Sequence, residues 1–308
     1  LGMLSLSDFT PAGSPDSQGV GEFDLMGYGL FVAAGFIPCH PSAFNKLLMG
    51  WAEPYRIEPG AMATYRLDPI ETAAGDSALA QVEIGGREYW LLEYRLQDPD
   101  GNRIFSFAGD LNGNNIPDFY DADSVYGDGT PTGFFDPASD QREWLVGAEW
   151  DFFMSENAAR LPGVKGAGSG VYVWHVDEGV VQDVIDAGSN LFNADPARKS
   201  VDLEEADGIQ DLDSRQPQDD ISAAVLLGGD HDSFRAEGND TFGPDTRPDT
   251  RSTGGAWTGV VIDRFSAVVL DSSVTVETDP LAVIDYADSV RFRCRRDEAP
   301  AGGPRFAA

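Results

Sequence analysis

The sequence predicts an α+β fold in which an early helix is followed by a mostly antiparallel β-sandwich. The helix is predicted from apolar residues that recur every three or four positions after residue 42. The sandwich is predicted from short alternating apolar runs, separated by Pro, Gly and Asp, that begin after Pro54. A hydrophobic content of 42% over 308 residues supplies enough apolar surface for one large domain or two modest ones.

The N-terminal part contains the predicted helix. Residues 1–41 are rich in Gly and other turn formers, so we expect loop and buried turn there. The helix follows, with Ser42 as its N-cap and with Gly50 and Pro54 as stop signals. Four apolar residues are predicted to share one face of this helix: Phe44, Leu47, Leu48 and Trp51.

Strands are predicted to dominate the rest of the chain. The alternating runs lie at residues 62–67, 80–84, 89–94, 171–176, 223–227, 260–265 and 274–277. Gly85-Gly86, between the second and third runs, is typical of a tight hairpin turn. The acidic segment 98–151 shows little periodicity, so it is either disordered or organised by a ligand. Residues 281–308 are predicted to form a last strand and then a linker or a frayed end.

The charge balance excludes several classes of partner. Acidic residues outnumber basic ones by 52 to 21, and the formal net charge is -31. Such a surface repels nucleic acid and anionic lipid. No stretch approaches the roughly 18 to 20 apolar residues of a membrane-spanning helix. Two explanations of the acidity stay open: adaptation to high salt, where charges are screened, or the use of some acids as cation ligands.

A calcium-binding loop is predicted between Asp110 and Asp121. Side-chain oxygens fall at positions one, three, five, nine and twelve, with a backbone carbonyl at position seven, as calcium loops require. The predicted ligands are Asp110, Asn112, Asn114, Ile116, Asp118 and Asp121. Asn115 stands where an EF-hand loop has Gly, and Pro117 argues against a helix-loop-helix setting. The alternative is an Asx-rich turn that binds no ion.

Other acidic groups are weaker candidates for cation ligands. Asp98, Asp100 and Asn102 repeat the opening of the calcium pattern but lack its later ligands, which favours a plain turn. The acidic group Glu204, Glu205 and Asp207 is either a cation site or a solvated turn.

Histidines and cysteines do not assemble a known site on their own. No two of His40, His175 and His231 stand at the spacing of a zinc-binding helix. His175 lies at a predicted strand end beside acidic residues, so we expect a structural hydrogen bond there. The sequence contains no serine-hydrolase elbow and no phosphate-binding loop. The two cysteines, Cys39 and Cys294, leave one long-range disulfide open.

Five separated strings carry a further signal. They are GEFDLMG at 21–27, PCHPSAFNK at 38–46, YWLLEYR at 89–95, GVYVWHVDE at 170–178 and VDLEEADG at 201–208. In order and rough spacing, together they resemble the immune inhibitor A-like family of secreted bacterial zinc metallopeptidases, which are metzincin-like enzymes. The resemblance covers residues 1 to about 280.

The resemblance implies a domain organisation. Residues 1–53 would be the C-terminal part of a metzincin-like catalytic domain, with its methionine-containing turn and the helix that follows. Residues 54–280 would be the β-sandwich, with the calcium loop inserted at about 98–151. The family's His-Glu-x-x-His motif is absent from this chain. We therefore expect the chain to be the C-terminal portion, inactive alone, of a secreted zinc metalloendopeptidase that hydrolyses peptide bonds in proteins.

The resemblance also implies roles for three residues. Asp8 would be the third zinc ligand, and Met26 would pack beneath the zinc without binding it. The alternative for Met26 is an ordinary core methionine. Tyr28 would reach the metal or the oxyanion, by analogy with some metzincins. The implied cofactors are Zn²⁺ and Ca²⁺. The alternative function is a non-catalytic, calcium-stabilised extracellular binding or adhesion module with a degenerate peptidase site.

Overall fold

The structure is a computed structural model of the 308-residue chain. It describes residues 4, 19–35, 38–71, 77–97, 106–109, 118–120, 151, 154, 168–190, 192–195, 198–210, 212, 228–270 and 286–299. The fold is α+β, with two main sheets and few helices among these residues, as the sequence predicts.

Turns and a short helix make up the N-terminal part. Two 3₁₀ segments, Gly21–Phe23 and Gly29–Gly35, precede helix α1 at Ala43–Leu48. The predicted cap is confirmed, because the Ser42 hydroxyl accepts a hydrogen bond of 3.3 Å from the Asn45 amide. The predicted stop is confirmed as well, since Gly50 has a φ of 70° that glycine adopts without strain.

The prediction that Trp51 shares the apolar face of the helix is wrong. The helix ends at Leu48, and the turn through Gly50 directs the Trp51 side chain outward, where it is 60% exposed. Phe44 is buried, while Leu47 and Leu48 are partly buried against the same core. The 3.6-residue period therefore holds only as far as the helix itself extends.

The larger sheet, sheet A, has five strands. They are β1 (Tyr55–Ile57), β3 (Leu79–Gly85), β4 (Glu88–Arg95), β7 (Gly170–Asp177) and β8 (Val201–Leu203), in the spatial order β1-β3-β4-β7-β8. Only the β1–β3 pair is parallel. Strands β3 and β4 form the predicted hairpin, in which Gly85 and Gly86 have φ of 125° and 65°.

The second sheet, sheet B, has four antiparallel strands. They are β2 (Ala63–Leu67), β11 (Val290–Arg296), β10 (Val260–Asp263) and β9 (Thr241–Phe242), in that spatial order. Strands β2 and β10 match the predicted runs at 62–67 and 260–265. The runs predicted at 223–227 and 274–277 lie outside the described residues.

A third pairing falls inside the acidic segment 98–151. Strands β5 (Ser106–Gly109) and β6 (Asp118–Tyr120) are antiparallel, with Gly109 opposite Asp118. The sequence pattern predicts no strands here. Most of the calcium loop, residues 110–117 and 121, lies outside the described residues.

Both faces of sheet A are buried, which explains its nearly continuous apolar strands. Strand β4 shows the alternation: Trp90 and Leu92 enter the core shared with sheet B, whereas Tyr89 and Leu91 enter a second core. That second core contains Val20, Phe23, Val32, Cys39, Ala43 and Phe44 from the N-terminal part, together with Val181 of helix α2 (Glu178–Asp186).

Residues on either side of position 53 therefore share one core, while the domain boundary drawn there stays a prediction. No helix within the described residues is both long enough and apolar enough to cross a bilayer.

Candidate functional site

A buried ionic network lies between sheet A and the N-terminal turns. The network consists of Arg95, Asp151, Glu93 and Lys46, and it is called the Arg95 network below. The Arg95 guanidinium binds the Asp151 carboxylate at two points, with Nε to Oδ2 at 2.7 Å and Nη2 to Oδ1 at 2.6 Å. Lys46 Nζ donates to Glu93 Oε2 at 2.7 Å. Each side chain is at most 6% exposed, so these charges neutralise one another rather than facing water.

Arg95 also holds backbone from the N-terminal part. Its Nη1 donates to the Phe23 carbonyl at 2.6 Å, and its Nη2 donates to the His40 carbonyl at 3.2 Å. The His40 amide in turn donates to Asp151 Oδ1 at 2.8 Å. One guanidinium therefore connects two segments of the N-terminal part to the end of strand β4, using the planar fork that distinguishes Arg from Lys.

Glu93 ties helix α1 to two strands of sheet A. Its Oε1 accepts hydrogen bonds from Trp174 Nε1 at 3.0 Å on strand β7 and from the Ala43 amide at 3.2 Å. With Lys46 on its other oxygen, this carboxylate has partners on both sides. Glu93 stands on the same face of strand β4 as Tyr89 and Leu91, which is why it reaches the second core.

Asp24, which lies in the turn that contains Met26, makes further buried hydrogen bonds to the start of helix α1. Its Oδ1 accepts from the Ser42 amide at 2.6 Å, and its Oδ2 accepts from Asn45 Nδ2 at 2.9 Å. Burial raises the pKa of Asp24 to about 6, although these hydrogen bonds oppose the shift. The turn through Met26 is thus attached to the first turn of helix α1 by one carboxylate.

The protonation states in this region follow from burial and charge pairing. Burial alone would raise the pKa of Asp151, but the adjacent Arg95 guanidinium lowers it well below its usual range. Burial lowers the pKa of His40 to about 4, so the imidazole is neutral at pH 7. The described groups form a buried network in which opposite charges pair and which holds backbone of the N-terminal part in place.

A second buried cluster, the His175 cluster, consists of Glu88, His175 and Glu204. His175 Nε2 is 3.1 Å from Glu88 Oε2, and Nδ1 is 3.3 Å from Glu204 Oε1. Burial would lower the pKa of His175, but the bonds to Glu204 and Glu88 raise it to about 10, so the ring is a cation that donates from both nitrogens. Glu88 also accepts from the Thr253 amide at 2.7 Å. The structural hydrogen bond expected for His175 is present, but both of its partners, Glu88 and Glu204, are distant in sequence from the adjacent acids on which the expectation rested.

The residues to which the resemblance gave roles are only partly described. Asp8 lies outside the described residues. Met26 is partly buried in the turn that Asp24 anchors, and Tyr28 is 43% exposed, with its ring 5.3 Å from that of Phe31. The exposure of Tyr28, Leu30 and Phe31 differs from the buried turn expected for residues 1–41.

The predicted calcium ligands are not tested by the structure. Asp110, Asn112, Asn114, Ile116 and Asp121 lie outside the described residues. Asp118 begins strand β6, and its backbone alone is described. The weaker set, Asp98, Asp100 and Asn102, also lies outside.

The described residues do not include the zinc site that the resemblance implies, because its His-Glu-x-x-His motif is absent from the chain and Asp8 lies outside them. Both ring nitrogens of His175 are bonded to glutamates, and His231 is exposed. Within the described ranges, no group of three or more His, Cys, Asp and Glu side chains is arranged to hold a metal ion. The cysteines are unpaired and lie in different cores, Cys39 in the second core and Cys294 between the sheets, so the disulfide left open by the sequence is not formed.

Of the acidic group at 204–207, only Asp207 lies in a solvated turn, and the two glutamates do not. Glu204 bonds His175, and Glu205 Oε1 accepts from the Leu212 amide at 3.2 Å. Both glutamates are buried, whereas Asp207 is exposed and accepts from the Ile209 amide at 2.7 Å. These carboxylates therefore serve three different local contacts.

The Arg95 network was not predicted from the sequence. Its signal was present in strand β4, where Glu93 and Arg95 interrupt an apolar run that is otherwise typical of a strand buried on both faces. Charged residues in such a strand require buried partners. No local pattern names Lys46 or Asp151 as those partners.

Comparisons of the chain with models of protein families, with curated proteins and with solved structures found no match.

Proposed function

We propose that this chain is the scaffold portion of a secreted zinc metalloendopeptidase related to the immune inhibitor A-like family. In the proposal, residues 54–280 form a β-sandwich, and the N-terminal part carries the methionine turn of a metzincin-like catalytic domain. Two zinc ligands and the glutamate base belong to a His-Glu-x-x-His segment that this chain does not contain, and Asp8 is the third ligand.

One observation carries the proposal: the five strings of the resemblance contact one another in sequence-distant pairs. Asp24 of the first string bonds Asn45 of the second. Lys46 of the second string forms an ion pair with Glu93 of the third, at 2.7 Å.

The chain of contacts runs on through sheet A. Glu93 of the third string accepts from Trp174 of the fourth. His175 of the fourth lies 3.3 Å from Glu204 of the fifth. The residues that carry the resemblance are therefore also buried polar partners on which this fold depends, since buried polar groups require partners.

The test uses the parent polypeptide, obtained by extending the coding sequence upstream of Leu1. We expect a His-Glu-x-x-His segment there, about one bound zinc per chain and chelator-sensitive hydrolysis of a casein-type substrate. The present chain, assayed alone as the matched control, should bind no zinc and hydrolyse nothing. A parent with no such segment, no zinc and no proteolysis would overturn the proposal.

The second candidate is a non-catalytic, calcium-stabilised extracellular binding module. It is favoured by the calcium-loop pattern at Asp110–Asp121 together with the absence of a His-Glu-x-x-His motif from this chain. A parent that binds calcium but neither zinc nor a cleavable substrate would support this candidate.

A further inference from the structure

Four arginines lie on the solvent-facing side of sheet B. Arg66 is on strand β2, and Arg291, Arg293 and Arg295 alternate along strand β11 with buried residues. In the sheet register, Arg291 stands directly opposite Arg66, and Arg293 stands opposite Thr64. Since neighbouring residues of a strand point to opposite faces, the four guanidiniums share one surface, called the arginine face below.

The positive charge of the arginine face contrasts with the net negative charge of the protein. Acidic residues outnumber basic ones by 52 to 21 along the chain. Both described lysines, Lys46 and Lys199, are buried in ion pairs, so the positive charge on the described surface is supplied by guanidinium groups. Guanidinium is the group best suited to two-point recognition of a carboxylate.

The arginine face is only partly neutralised. Asp263 is shared between Arg293 and Arg295, and Arg66 pairs with Asp68 at 2.6 Å. Arg295 also pairs with Asp297 at its rim. No carboxylate in the described part of the chain lies within ion-pair distance of the Arg291 guanidinium.

Arg291 and Arg66 are also mutually unfavourable. Like charges directly opposite each other on neighbouring strands destabilise a sheet. The Arg66 side chain is 56% exposed, and Arg291 is exposed as well, so both are accessible to an external anion. A bound carboxylate between them would relieve the repulsion.

We propose that the arginine face binds an extended acidic polypeptide segment whose carboxylates recur at every second residue. The three arginines of strand β11 are spaced two residues apart, which is roughly 6.6 to 6.8 Å along a strand. An extended partner that lies on this surface directs its own alternate side chains toward it with the same period. The net charge of -31 repels such a segment at long range, but screening over about 10 Å at 0.1 M salt leaves direct contacts to decide binding.

The test measures binding of synthetic peptides by fluorescence anisotropy. One probe alternates Glu with Thr, and a second has the same composition with its glutamates in one block. At about 0.1 M NaCl the alternating probe should bind more tightly, and its affinity should fall as salt is raised. The double variant Arg66→Gln with Arg291→Gln should bind it about tenfold more weakly.

The matched control removes the same charge elsewhere. Arg56→Gln with Arg87→Gln changes two exposed arginines of the sheet A region and should bind the alternating probe like the unmodified protein. Circular dichroism and thermal unfolding of each variant establish that it is folded. Because all four positions are exposed, we expect folding to be preserved.

Several results would overturn the proposal. These are equal binding of the two probes, no binding of the alternating probe, or an equal effect of the test and control variants. Tighter binding of a single-stranded oligonucleotide of equal charge would assign the face to phosphate instead. A dimer in sedimentation velocity that the Arg66→Gln, Arg291→Gln variant loses would assign it to a second copy of the chain.

Discussion

The Arg95 guanidinium and the Asp151 carboxylate form a two-point ion pair, at 2.7 and 2.6 Å, in which neither side chain is exposed to solvent. Arg95 precedes Asp151 by 56 residues, and the same guanidinium binds the carbonyls of Phe23 and His40. The pair therefore joins three distant parts of the chain. Its energetic value lies in the cost of leaving either charge alone.

Removal of Arg95 should be strongly destabilising. Arg95→Met leaves the Asp151 carboxylate buried without its counter-ion, so the free energy of unfolding should fall by about 3 to 5 kcal/mol in urea titrations. The control Arg56→Met breaks an exposed pair with Glu83 and should cost less than about 1 kcal/mol. Adding Asp151→Leu to Arg95→Met should recover part of the loss, and equal losses for Arg95 and Arg56 would contradict this account.

The His175 cluster predicts a pH dependence of stability. The pKa of His175 is about 10 in the folded protein against an ordinary 6.5, so the folded state keeps a proton that the unfolded state releases. This contribution is complete below about pH 6.5 and is lost as pH rises toward 10, at about 1 kcal/mol per pH unit. Urea titrations from pH 6.5 to 9 should show this slope in the unmodified protein.

The variant His175→Gln isolates that slope. Gln keeps a polar side chain but cannot carry the charge, so its free energy of unfolding should vary less over the same pH range than that of the unmodified protein. Parallel curves for the two proteins would show that His175 has an ordinary pKa in the fold. Other groups that titrate near pH 9 contribute to both curves and cancel in the difference.

The acidic surface predicts stabilisation by salt. With a net charge of -31 and both described lysines buried, self-repulsion opposes the folded state, and screening should relieve it. The Tm should rise as NaCl is raised from about 0.1 M toward about 1 M, where the Debye length falls from about 10 to about 3 Å. A constant Tm across this series would argue against salt adaptation.

Calcium should add a separate, site-specific effect. Millimolar CaCl2 at constant ionic strength should raise the Tm, because an ion that binds only the folded state stabilises it. The variant Asp110→Ala with Asp118→Ala should lose this response. The control Asp98→Ala with Asp100→Ala makes the same change in charge and should keep it. The calcium assignment is wrong if both variants respond to calcium and chelator as the unmodified protein does.

Local signals were enough to predict several elements. Ser42 as the cap of helix α1, the positions of strands β3, β4 and β7, and the hairpin at Gly85-Gly86 each depend on a few neighbouring residues. A hydrogen bond at His175 was also predicted, but its partners are Glu88 and Glu204, not the adjacent Asp177 and Glu178. Capping, strand period and turn conformation are set by backbone geometry over a few residues, which is why sequence patterns report them.

The tertiary structure alone decided which residues meet. Glu93 and Arg95, as charged residues in a buried strand, indicate that buried partners exist. Lys46 and Asp151 are those partners because helix α1 and residue 151 reach the same face of strand β4. Trp51 is exposed because the chain turns at Gly50, one residue before the helical period would have buried it. The sequence by itself determined the local elements and the excess of negative charge. Contacts across 40 or more residues depend on the order in which strands pair, which no local pattern encodes.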